Sequence, residues 1–314
     1  MTTIKDVANK AEVSVATVSR VLNNKGYLKE ETKKKVKKVI KELDYTPNSV
    51  ARTLYTKKSD TIGVLIPDIT NPFFSELYTT IEDYAEKHNQ QLLLFNSNYN
   101  INREKKLIKQ LNSKLIDSVI IISENLTEEH LLKIRIPTVI LDKKISEKIS
   151  SISVNNYKGG KRATRYLLDS GCKMIAHITG PKYNEAAIER TRGFYDEVKN
   201  SKVNYTVVQG NYDVKDVVNL FLNLFRNHPT IDGVFAGNDI IAVGVIKALS
   251  RVDSKKKISI IGFDGISLGE DITPEITTMR QPIDEIASNA IDIIMTGKKQ
   301  EHKTFDTKLL IRET

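Results

Sequence analysis

The chain has 314 residues, 40% of them hydrophobic and 28% charged, the make-up of a soluble globular protein of about two or three domains. No apolar run reaches the roughly 18 residues of a membrane span, and residues 1–20 carry Asp6 and Glu12 with no apolar signal core, so a cytoplasmic location is expected. The single cysteine, Cys172, excludes an internal disulfide, and the net charge of +9 is lopsided: residues 1–60 hold 14 Lys/Arg against 7 Asp/Glu, the rest 34 against 32. A basic balance gathered at one end points to a polyanion partner for that end.

Three short helices are predicted in this basic segment. Thr3 caps the first, with Asp6 in capping-box position and Ile4, Val7, Ala8 and Ala11 at helical spacing. Ser14 caps the second, Val13 and Val18 take the staple positions, and Val18, Val21 and Leu22 form its inward stripe. A third runs from about Glu30 to Leu43, with Val36, Val39, Ile40 and Leu43 inside and Lys33, Lys34, Lys35, Lys37, Lys38 and Lys41 outside. The second helix then turns Val15, Ala16, Thr17, Ser19, Arg20 and Asn23 outward. Short side chains near its start let it approach another surface closely. Arg20 suits guanine O6 and N7, Val15 and Ala16 suit thymine methyl groups, and Thr17 and Ser19 suit phosphates or base edges. Residues 1–46 are therefore expected to be an all-α helix-turn-helix DNA-binding domain; the alternative is a three-helix bundle with merely solvated faces.

The stretch TIKDVANKAEVSVATVSRVLNN resembles the amino-terminal domain of the LacI/GalR family of bacterial transcription regulators. Two residues depart from the family pattern. Glu12 stands where glycine is usual in the turn, and Lys29 where serine is usual before the third helix. Residues 47–60 follow as a linker. Pro47 and Asn48 can start a helix of about eight residues, too short to stand alone in water, with Val50, Ala51 and Leu54 on one side. The resemblance implies a hinge helix that pairs with its twin and inserts Leu54 into the minor groove, where a wedge kinks the duplex. The alternative is a flexible linker, and both hold if it orders only on DNA. The expected DNA-contacting set is Thr3, Ser14, Val15, Ala16, Thr17, Ser19, Arg20 and Asn23, with Asn48, Ala51 and Leu54 from the linker.

From Thr61 onward strand-like runs alternate with amphipathic helical stretches, which predicts parallel sheets with helices on both faces. About 250 residues is long for one such sheet, so two lobes are expected: residues 61–155 with 283–298, and residues 156–282 with 299–314. Ligands in such folds sit beyond the carboxyl ends of the strands, and the residues found there are rich in carboxylates, amides and hydroxyls, which suit sugar hydroxyls.

The segments TIGVLIPDITNPFF, GPKYNEAAIERTRGF, GVFAGNDIIAVGV and IGFDG extend the resemblance over essentially the whole chain. It implies a two-lobed, periplasmic-binding-protein-like α/β core. By position it implies an effector against Phe73 and Phe74, with polar contacts from Asp142, Arg190, Asn238 and Asp264, and Gln281 nearby. Asp239, at a helix start, is expected to cap that helix. The function expected is a dimeric, sequence-specific repressor of a carbohydrate operon. Its partners are a pseudo-palindromic operator, a second copy of the chain and a small sugar, with no cofactor, metal or membrane. The stretch NNKGYLKEET resembles repressors of sucrose or ribose operons, and sucrose or fructose is taken as the effector; ribose, a nucleoside or purine, or a phosphocarrier protein are the alternatives. A sugar-acting enzyme using Asp142 and Asp264 as an acid–base pair is the rival from another class. Against it, no nucleophile motif, phosphate loop or metal spacing is found, and the five histidines are scattered.

Overall fold

The amino-terminal helices are α1 (Ile4–Lys10), α2 (Val15–Leu22) and α3 (Glu30–Glu42). The computed structural model describes residues 2–22, 27–45, 58–111, 116–252 and 257–314, and the chain divides into two units, residues 1–59 and 60–314. Asn23, Asn48, Ala51, Leu54 and the expected hinge helix lie outside the described residues.

Local chemistry accounts for the first unit. Thr3 and Asp6 form the expected capping box, the Asp6 carboxylate accepting the Thr3 N–H at 2.8 Å. The Ser14 hydroxyl accepts the Thr17 N–H at 3.1 Å and starts α2. Val7, Ala11, Val18 and Val36 are fully buried between the three helices, and burying a valine contributes about 1.5–3 kcal/mol. Glu12 adopts a left-handed φ of +52° in the turn between α1 and α2, the conformation for which glycine is the default residue. Its carboxylate meets Lys35 of α3 at 2.7 Å. Lys29 precedes α3 without any side-chain cap.

The second unit holds two six-stranded sheets. The first contains β1 (Thr61–Ile66), β2 (Gln91–Asn96), β3 (Ser118–Ile121), β4 (Thr138–Asp142), β5 (Ser150–Val154) and β11 (His302–Phe305), in the order β11-β5-β4-β3-β1-β2. The second contains β6 (Met174–Thr179), β7 (Asn204–Gln209), β8 (Gly233–Ala236), β9 (Ser259–Asp264), β10 (Thr277–Arg280) and β12 (Lys308–Leu310), in the order β12-β10-β9-β8-β6-β7. All these pairings are parallel except β12 against β10. One face of the first sheet is covered by α4 (Pro72–Lys87) and α12 (Ile283–Thr296), the other by α5 (Ile101–Leu111) and the short α6 (Glu128–Leu131). The second lies between α7 (Asn156–Asp169) with α8 (Glu185–Val198) and α9 (Val214–Asn227) with α10 (Asp239–Leu249); the short α11 (Leu268–Asp271) follows β9. Among the described residues no helix is long and apolar enough to cross a membrane.

One expected boundary is corrected. Residues 299–314 do not all join the second lobe: His302–Phe305 adds a parallel edge strand to the first sheet, beside β5, and only Lys308–Leu310 joins the second. HKTF is a half-exposed edge with one large apolar residue, so its sequence carries no burial pattern to say which sheet it completes. The chain thus passes between lobes after β5, before α12 and after β11.

The lobes touch on both sides of the cleft. Ile240 and Ile266 of the second lobe are buried within the apolar cluster of the first. Glu124 of the first lobe accepts the Asn184 side-chain N–H of the second at 2.9 Å, and Glu76 accepts the Ser267 backbone N–H at 2.9 Å and its hydroxyl at 2.7 Å.

Candidate functional site

Two surfaces hold the expected residues. On the amino-terminal unit, the outward face of α2 carries Val15, Ala16 and Arg20 exposed and Thr17 and Ser19 half-buried, while Val18 and Val21 point into the bundle. Ser14 is spent on the cap, and its hydroxyl also lies 2.9 Å from that of Thr17. Thr3 belongs to the α1 cap. Val15, although apolar, is 40% exposed, a placement that suits a contact surface better than a core.

In the core unit the carboxyl ends of the two sheets face the cleft. Asp142 ends β4 and Asp264 ends β9, each on the third strand of its sheet. Both adopt positive φ, +78° and +104°. A non-glycine residue held there costs about 1–3 kcal/mol and persists only where its surroundings over-determine it. Arg190 of α8 is 5% exposed and sits between these strand ends. Its Nη2 lies 3.2 Å from Asp264 Oδ1, its Nε donates to Asn156 Oδ1 at 2.9 Å, its Nη1 donates to the Gly237 carbonyl at 2.8 Å, and its guanidinium carbon lies 3.6 Å from the centre of the Phe263 ring. This burial rules out a superficial ion pair for Arg190. Gln281 donates to Asp264 Oδ1 at 2.8 Å and, with Phe73 and Asp142, lines a small cavity of about 10 Å³.

Two glycines make the Arg190 position possible. A Cβ on Gly160 would overlap the Arg190 carbonyl, and one on Gly193 would overlap the Tyr157 carbonyl. Helices α7 and α8 therefore approach backbone to backbone, which lets Arg190 reach Asn156 on one helix and Gly237 beyond β8.

Burial dominates the electrostatics. It pushes the Asp142 and Asp264 carboxyls above the usual carboxylate range, and the Arg190 guanidinium pulls both back part of the way. Arg190 thus acts on a carboxylate from each lobe. Burial also pushes up the Tyr99 and Tyr212 hydroxyls. These two rings, with Tyr183 and Asp68, line a wider cleft of about 620 Å³, across which Tyr99 of the first lobe meets Tyr183 of the second with ring centres 5.8 Å apart.

Phe74 packs edge-on against Phe73, 5.4 Å between centres, and both are buried in the first lobe's core, with Phe73 also lining the cavity. One expectation is revised by this geometry. Asp239 does not cap α10. Asn238 does, accepting the Ile241 N–H at 2.9 Å, while the Asp239 carboxylate turns to β9 and β10. The residue inside the first turn is free to reach sideways because the cap is already supplied one position earlier.

Residues 3–48 match a family described as bacterial regulatory proteins, lacI family, and residues 59–308 match one described as periplasmic binding proteins and sugar binding domain of LacI family. The chain belongs to the LacI family. The two matches fall on the three-helix unit and on the two-lobed α/β core of this LacI-family protein. It is 41% identical to the ribose operon repressor of Halalkalibacterium halodurans over 100% of this chain and 97% of that protein. It is 32% identical to the sucrose operon repressor of Lactococcus lactis over 94% of this chain and 93% of that one. Among solved structures, a periplasmic binding protein/LacI transcriptional regulator from Alkaliphilus metalliredigens complexed with D-xylulofuranose is 32% identical. It has a TM-score of 0.74 and covers 81% of this chain and 98% of its own.

Asn156, Phe263 and Tyr212 escaped the sequence expectations for this LacI-family protein. Asn156 starts a helix, Phe263 reads as core, and Tyr212 follows a strand with nothing local to mark it. Only their nearness to Arg190 in space distinguishes them.

Proposed function

We propose that this LacI-family protein is a repressor of a sugar-utilisation operon, that it grips a two-fold operator as a homodimer through α2, and that its effector is a five-carbon sugar of the ribose type. The sugar sits between the lobes, its hydroxyls held by Arg190, Asp142, Asp264 and Gln281 and its ring against Phe73. The observation that carries this reading is the buried Arg190 ion pair at the strand ends. Burying a guanidinium with carboxylates from both lobes is costly unless their remaining hydrogen-bonding capacity is used, and vicinal sugar hydroxyls use it. A ligand that engages both lobes binds their closed arrangement better than any other, and so shifts the population that presents two reading heads to the operator.

Ribose is preferred to sucrose because the ribose operon repressor is 41% identical over the whole chain and the sucrose operon repressor 32%, and because the 32%-identical solved relative carries a five-carbon furanose. The test is thermal melting of the full chain with ribose, sucrose and hypoxanthine in turn, followed by operator binding with and without the sugar that shifts it. Ribose alone should raise the melting temperature and change operator affinity, and Asp264→Ala should abolish that change while leaving sugar-free operator affinity intact. A shift with sucrose or hypoxanthine and none with ribose defeats the assignment.

A further inference from the structure

We infer that Asp239 is the positioning residue of the cleft: it anchors the loop 264–267, and through that loop it ties the sugar-facing Asp264 to the closure of the two lobes. The inference rests on the proposed sugar site. Asp239 is fully buried, and its carboxylate is wholly engaged by the neighbouring chain. Oδ2 accepts the backbone N–H groups of Gly265 at 2.7 Å and Ile266 at 3.0 Å, and Oδ1 accepts the Thr278 hydroxyl at 2.6 Å. The neighbouring strand is built to admit it, since a Cβ on Gly262 of β9 would overlap Oδ1.

What those bonds hold is a loop with a task at each residue. Asp264, at φ +104°, faces Arg190 and Gln281. Gly265 continues at φ +74°, where a side chain would strike Arg280. Ile266 is buried in the apolar cluster of the opposite lobe, and Ser267 is bound to Glu76 of that lobe through both its N–H and its hydroxyl. Asp264 has no local reason to hold its left-handed φ, and Gly265 is free to leave its own. The N–H pair on Asp239 fixes their exit direction, and that direction sets both where the Asp264 carboxylate points and where Ile266 and Ser267 meet the first lobe.

Asp239 touches no ligand in this arrangement, so its part is distinguished from general stability by its isostere. Burial, and next the Asp264 carboxylate, pushes the Asp239 carboxyl up to about 7, and asparagine keeps its shape without its charge. In Asp239→Asn the amide oxygen can keep both N–H groups and the amide nitrogen can donate to a turned Thr278 hydroxyl. Asp239→Ala leaves all three donors unmet. The experiment is hydrogen exchange of the full-length chain, read on the peptide covering 264–267 with β6 and β8 peptides as the fold control, together with ribose titration of the same variants. In Asp239→Ala the 264–267 peptide should exchange about 10–100-fold faster while β6 and β8 stay protected, and ribose affinity should fall about tenfold or more. Asp239→Asn should restore most of both. Unchanged loop exchange in Asp239→Ala, unchanged ribose affinity, or an Asn variant as impaired as the Ala variant overturns the inference. If the wild-type chain binds no ribose, the proposed effector fails, and the exchange data still decide whether Asp239 holds the loop.

Discussion

Replacing Arg190 with methionine removes a buried charge and little else. Methionine keeps an unbranched stem of similar course and can lay its sulfur against Phe263, where the guanidinium now sits 3.6 Å from the ring centre. The deficit therefore comes from what Arg190 leaves behind: an Asp264 carboxylate without its 3.2 Å ion pair, and the Asn156 and Gly237 oxygens without their 2.9 and 2.8 Å donors. Removing one partner of a buried pair costs about 3–5 kcal/mol. In a unit of this size each kcal/mol moves the melting temperature by about 2–4 °C, so the core transition should fall by roughly 6–20 °C. Full-length protein in a scanning calorimeter, with the operator-binding unit followed separately by gel shift below the transition, measures both halves of the claim. The orphaned Asp264 is then raised further above its unfolded value and binds a proton in the folded state more readily than in the unfolded one. Stability of the variant therefore falls as pH rises through that window, and its deficit relative to wild type narrows on acidification. Adding Asp264→Asn to Arg190→Met should return at least about 1 kcal/mol relative to the sum of the single losses. A single-variant loss under about 1 kcal/mol, or strict additivity, refutes the view that a guanidinium–carboxylate pair organises the cleft.

Other consequences are open to measurement. Arg20→Ala should cost about 1–3 kcal/mol at the operator and relax preference at one base position, read by competition with a panel of single-substituted duplexes. Glu12→Gly should raise the melting temperature of the amino-terminal unit by a few degrees, since glycine tolerates the +52° φ that glutamate is forced to hold; a drop would mean the Lys35 pair matters more than the backbone. His177 is buried against Phe235 and Phe194 with Nδ1 2.9 Å from the Phe235 carbonyl, and burial depresses its pKa to about 4. Between that value and about 6.5 the unfolded chain binds the extra proton, so stability present at neutral pH is lost as pH falls through this window, by about 3 kcal/mol in all. Urea midpoints across that range should show the slope, and His177→Gln should flatten it.

Much of the architecture is written locally. The caps at Thr3 and Ser14, the α2 stripe of Val18 and Val21, and the alternation of strands and helices from Thr61 depend on residues a few positions apart, and short-range patterns of that kind survive in a linear reading. The glutamate in a glycine's turn was marked by its departure from the family pattern, and its φ of +52° gives the physical reason for glycine there. The candidate effector residues were found as strand ends and family positions, but their division of labour was not. Phe73 and Phe74 are neighbours on one helix, both in the first lobe's core, and only the packing brings Phe73 to the cavity as well. Asn238 and Asp239 are adjacent and chemically alike, and only the space left by Gly262 on another strand lets the second hold the 264–267 loop.

What the sequence alone determined was the three amino-terminal helices with their inward faces, the strand–helix alternation of the core and the concentration of positive charge at one end. The tertiary structure decided which lobe the His302–Phe305 strand completes, which carboxylate pairs with Arg190, and why Asn156, Phe263 and Tyr212 belong to the cleft. The physical reason is range. Periodicity and capping act across a single turn of chain, whereas the worth of a buried charge is set by whatever the fold brings within a few ångströms of it.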